Sequence, residues 1–95
     1  MAVRVICINK AGGDHSDPHE AVSNYGWINE STGKRGRNDR SSMVDWVENK
    51  NGRAYVKDAD GEANCYVNIS RAGTKFLQTY ADNRWTDNLL RLPEC

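Results

Sequence analysis

No apolar run in this chain is longer than a β-strand. A helix needs about 20 apolar residues to cross a bilayer, so no transmembrane helix is expected. An excess of charge of either sign is also missing. Thirteen Lys and Arg balance thirteen Asp and Glu, giving a formal net charge of zero. Such a chain has no global field to draw in nucleic acid or an anionic membrane, and any electrostatic partner must be met by a local patch. Cysteine is scarce: Cys7, Cys65 and Cys95, with no Cys-x-x-Cys pair. That spacing excludes a zinc knuckle. Met1 leads straight into a polar-alternating strand, without the charged and apolar regions of an export leader. Reduced thiols in a cytoplasm are the expectation. Repeats and low-complexity segments are lacking too, and 95 residues make one domain, 1–95.

What is present is strand pattern. Val3 to Ile8 is apolar on both alternating faces, as a central, doubly covered strand would be. Lys10 to Pro18 is loop by composition, with Gly12, Gly13 and Pro18. Glu20 to Ile28 is a second strand, weakened by Gly26. Asn29 to Asp39 is turn-rich and basic. One helix follows, capped by Asp39 or Ser41, with Met43, Val44, Trp46 and Val47 as its buried stripe. Asn51-Gly52 ends it, with Gly52 expected in the left-handed position. Trp46 or Val47 is expected to lock the helix to the sheet.

Arg53 to Tyr80 then reads as a three-strand meander. Val56, Cys65, Val67, Ile69 and Leu77 alternate with polar or aromatic neighbours. Arg71-Ala72-Gly73 fits a type I turn with a glycine bulge. That register places Leu77 with Val67 and Ile69, and Phe76 and Tyr80 with Tyr66 and Tyr55 on the other face. The tail from Ala81 to Cys95 is irregular but carries Trp85, Leu89, Leu90 and Leu92, which need burial. The fold class that results is α+β. It is a small antiparallel sheet of about five strands with one helix, in the order β-β-α-β-β-β, and an apolar C-terminal tail packed on the sheet.

The segments Ile6-Cys7-Ile8-Asn9-Lys10, Asp17-Pro18-His19-Glu20, Asn49-Lys50-Asn51-Gly52 and Lys75-Phe76-Leu77-Gln78-Thr79 carry a resemblance. So does the tail Asp87-Asn88-Leu89-Leu90-Arg91-Leu92-Pro93-Glu94-Cys95, its most specific part. The chain resembles a family of small, uncharacterised bacterial proteins known only as a domain of unknown function. The resemblance implies a bacterial origin and supports the fold, and it implies no activity. Ser31 to Arg40 matches that pattern least well.

Three constellations carry chemistry. Lys34, Arg35, Arg37 and Arg40 form a basic loop running into a helix start, where free N–H groups help to hold phosphate. The plainer reading is a solvated turn. Tyr55, Tyr66, Phe76 and Tyr80, beside Arg53, make an aromatic sheet face of the kind that stacks bases. The competing reading is that the tail folds over this face and closes a second small core, and burial arithmetic favours coverage. His15 and His19, with a cysteine, are the candidate metal ligands, although Pro18 between them prevents a shared helical face. Cys65 reads as a small buried hydrophobe.

No catalytic motif stands out, and no cofactor is implied. The leading expectation is a non-enzymatic interaction module with a protein partner or self-association, and no membrane. Nucleic-acid binding through Lys34, Arg35, Arg37, Arg40, Tyr55 and Tyr66 is one alternative. A metal-dependent site at His15 and His19 is the other.

Overall fold

The structure, a computed structural model, describes residues 2–10, 21–59 and 61–95. Strands β1 (Ala2–Lys10), β2 (Val22–Ile28) and β3 (Arg35–Asp39) lead into helix α1 (Arg40–Asn49). Strands β4 (Arg53–Asp58), β5 (Gly61–Ile69), β6 (Lys75–Ala81) and β7 (Arg84–Thr86) follow, then a short 3-10 helix, Asn88–Arg91. Among the described residues the strands form one seven-stranded sheet in the order β3-β2-β1-β4-β5-β6-β7.

The α+β class holds, with a single α-helix among the described residues, but the sheet is larger than five strands and is mixed. β1 and β4 pair in parallel, Ala2 to Arg4 against Arg53 to Tyr55. The cause is the helix. It carries the chain from the edge strand β3 back across the sheet, so β4 arrives beside β1 running the same way. The two additional strands are both edges. Arg35–Asp39 has no apolar alternation and is held by pairing with β2. Arg84–Thr86 extends what reads as irregular tail.

The sheet is strongly curled. Four strand spacings separate β2 from β6, roughly 19 Å if flat. Yet the Leu77 N–H on β6 donates to the Tyr25 hydroxyl on β2 at 3.2 Å. Only curling brings one side chain that far. Burial pushes the Tyr25 phenol up to about 12. Inside the curl, Val3, Val5, Ile8, Tyr25, Val56, Cys65 and Leu77 pack with Met43 and Val44 of the helix.

The helix begins where the sequence places it. Asp39 caps it, its carboxylate accepting from the Ser42 hydroxyl and from the Ser42 N–H, the latter at 2.8 Å. Those bonds hold the Asp39 pKa below its ordinary value. Two details differ from expectation. Met43 and Val44 are the buried anchors, while Trp46 and Val47 are only partly buried. The left-handed residue is Asn51, at φ 55°, and not Gly52. Asn tolerates that conformation, and Gly52 is needed for another reason: a Cβ there would fall inside the Trp46 ring.

The Ser70–Thr74 turn has the expected glycine bulge, with Gly73 at φ 85° and Val67 opposite Leu77. Ile69 lies beyond the covered region and is exposed.

Of the tail's apolar groups Trp85 stands on the outer face beside Tyr80, and the leucines go elsewhere. Leu89 is fully buried in the main core, and Leu90 and Leu92 pack against the same core. The Ile8 N–H donates to the Pro93 carbonyl at 3.0 Å, and the Cys95 N–H to the Ile8 carbonyl at 3.1 Å. β1 leaves β4 after Arg4, and the tail takes up the backbone groups this exposes. Cys7 and Cys95 form a disulfide there, replacing the expected reduced pair, and Cys65 is the free, buried thiol. Gly26 accommodates the bridge, since a Cβ at that position would strike both sulfurs.

Candidate functional site: an aromatic cleft and an aromatic ridge

The inner surface near β1, β2 and β3 is only partly covered by the helix. A cleft of about 300 Å³ remains, with Val3, Trp27, Met43 and Trp46 among its lining. Val3 and Met43 are buried and make its floor. The two tryptophans are partly buried walls. Trp27 is opposite Gly36 in the β2–β3 register, and its ring occupies the space a Cβ on Gly36 would need. Its indole N–H donates to the Asn38 side-chain oxygen at 2.8 Å. Trp46 lies in the same way over Gly52. Each ring is thus seated on a glycine, and Trp27 is also hydrogen-bonded. Asn38, Ser42 and Lys50 supply the polar lining. Lys50 is mostly exposed at the rim, 3.4 Å from Asp45.

A second surface lies on the opposite face of the sheet. Tyr66, Tyr80 and Trp85 are 47%, 38% and 42% exposed, and they adjoin one another. Tyr80 stands edge-on to Tyr66 at 6.2 Å and to Trp85 at 5.2 Å between centroids. The register makes this ridge: Tyr80 faces Trp85 across β6–β7 and is diagonal to Tyr66 across β5–β6.

The residues singled out in the sequence divide between separate places. Arg35 and Arg37 are exposed along β3 at one edge of the sheet, Lys34 is exposed just before that strand, and Arg40 opens the helix half-buried. Tyr66 is on β5, toward the other edge. Tyr55 is buried. Arg53 lies 4.9 Å over its ring, and its hydroxyl donates to Glu30 at 2.6 Å. That bond lowers the Glu30 pKa and raises the Tyr55 pKa. Phe76, expected to share the open face, is also buried. His15 and His19 lie outside the described residues. Among the described residues no cluster of three His, Cys, Asp or Glu is placed to hold a metal. A disulfide sulfur is not a thiolate ligand, and burial pushes the Cys65 thiol up to about 12.

Sequence reasoning missed Trp27 as a site residue and took Trp46 for core. The available signals were Gly36 and Gly52, glycines inside or beside regular elements that mark close approach of another group.

Fold and site together define a small α+β domain with one curled mixed sheet, an aromatic-walled cleft inside the curl and an aromatic ridge outside it. Residues 4–93 match the model of a family described as a protein of unknown function, DUF3892, and the chain belongs to that family. Comparison with curated proteins and with solved structures found no match. Among the described residues no helix is long and apolar enough to cross a membrane.

Proposed function

We propose that the protein is a small non-enzymatic interaction module that associates with a second copy of itself through the Tyr66–Tyr80–Trp85 ridge. The observation that carries this reading is the gathering of three of the exposed large apolar side chains into one contiguous cluster. Tyrosine and tryptophan dominate binding hot spots because they offer large rigid area with a polar tip. Among the described residues β7, beside the ridge, is an edge strand with an unpaired side. Two copies can pair there about a two-fold axis, ridge against ridge. Zero net charge leaves no overall repulsion between copies. Sedimentation velocity over rising concentration should show a monomer–dimer equilibrium. Trp85→Ala should weaken it by roughly thirtyfold, as loss of a hot-spot side chain does. A monomer at every concentration would refute the reading.

A second reading is a nucleic-acid surface at β3, favoured by the exposure of Arg35 and Arg37 on that strand and of Lys34 just before it. It requires binding that weakens steeply with salt and is lost when those three are replaced by alanine.

A further inference from the structure

We propose that the cleft between Trp27 and Trp46 is a binding site for a small, flat aromatic anion, a ring system of one or two rings bearing a carboxylate or phosphate. This site is independent of the outer ridge and of self-association.

Four observations lead there. First, the walls are preorganised. Trp27 is fixed by its hydrogen bond to Asn38 and by its seat on Gly36, and Trp46 by its seat on Gly52. A ligand entering between such rings has little side-chain entropy left to overcome. Second, both indoles remain only partly buried although they adjoin the core. Apolar surface held rigidly at a concave opening gains free energy when a flat apolar group displaces its water. Third, size permits. A cleft of about 300 Å³ has room for a one- or two-ring system. Fourth, charge selects. The ionisable group in the lining is Lys50. An aromatic cage for a cation puts no ammonium at its mouth. Here the ring would stack on the indoles, its anionic substituent would meet Lys50 at the rim, and Asn38 and Ser42 would bond its polar edge. Asp45, bonded to Lys50 from the preceding turn, is the anion the ligand would displace.

The test follows the three indole N–H signals in a proton–nitrogen correlation spectrum of the intact protein. Nicotinate serves as the carboxylate probe and adenosine monophosphate as the phosphate probe. Nicotinamide, adenosine and tetramethylammonium are the neutral and cationic controls. Saturable shifts of the Trp27 and Trp46 signals are expected with at least one of the two anions, while Trp85 stays still. The anion that acts identifies the source chemistry. The matching neutral analogue should bind roughly tenfold more weakly, the usual worth of one charge-assisted hydrogen bond. Lys50→Met, at an exposed position, should erase that preference while leaving the neutral analogue's affinity unchanged. The proposal is overturned by the absence of a saturable shift with both anions, by equal binding of charged and neutral partners, by tetramethylammonium acting in their place, or by movement of Trp85 to the same extent. Movement of Trp85 alone would implicate the ridge instead.

Discussion

Breaking the Cys7–Cys95 bridge should cost this protein a large share of its stability. The two cysteines are 88 residues apart in sequence, so the bond closes a loop that takes in almost the whole chain. Cross-linking a loop of that length removes chain entropy from the unfolded state worth roughly 4–5 kcal/mol. A domain of 95 residues has about 5–14 kcal/mol in total. The native state should nonetheless survive reduction, because Leu89 is buried in the core and the Ile8 backbone bonds to Pro93 and Cys95 do not need the sulfur. The assay is urea unfolding followed by tryptophan fluorescence, with and without a phosphine reductant, and with Cys95→Ser. Taking a slope of about 1–1.5 kcal/mol per molar urea for a small domain, the midpoint should fall by about 3–5 M. Reductant should have no effect on Cys95→Ser. An unchanged midpoint in the wild type, or three titratable thiols in the unreduced, unfolded protein, would refute the reasoning.

Gly26→Ala should mimic part of that loss in oxidised protein and little of it in reduced protein, since the added methyl meets the two sulfurs; the same urea curves check it. Gly52→Ala should destabilise by about 1–3 kcal/mol, the cost of forcing a group into packed space, and should shift the Trp46 indole resonance. Stability should decline in alkali. The Cys65 thiol, ordinarily 9.0, and the Tyr25 phenol, ordinarily 10.0, both titrate near 12 in the folded protein because burial disfavours their anions. Between those ordinary values and about 12 the unfolded chain has lost protons that the folded one keeps. Stability is therefore fully present below pH 9.0 and falls progressively toward 12. Cys65→Ala should flatten the early part of that decline in pH-dependent melting.

The helix and the meander were legible because their signals are local. Asp39 before the Met43–Val44 stripe marks a start, Asn51-Gly52 marks a stop, and Gly73 sets the Val67–Leu77 register through a turn of fixed geometry. β3 was not legible, because Arg35-Gly36-Arg37-Asn38-Asp39 has no apolar period, and an edge strand owes its conformation to the neighbour it pairs with. The parallel pairing of β1 and β4 is set by where the helix drops the chain. Neither can be read from a window of residues. The disulfide was hidden for a related reason. Three cysteines do not announce a partner, and the tail's route to β1 depends on where β1 parts from β4. In the candidate sites, Tyr66 and Tyr80 were visible as an outward pair. Tyr55 and Phe76 share their alternation yet are buried, which alternation alone does not report. Trp46 looked like core because a half-covered indole and a covered one have the same spacing, and Trp27 lay unremarked in a strand weakened by Gly26. The glycines beneath them were the distinguishing mark.

The bridge from Cys7 to Cys95 also changes what damage means for this molecule. One protease cut at any point between them leaves a single covalent body, with both pieces still threaded into the same sheet. On a gel without reductant such a nicked molecule migrates as one band, and only thiol exchange lets its halves drift apart.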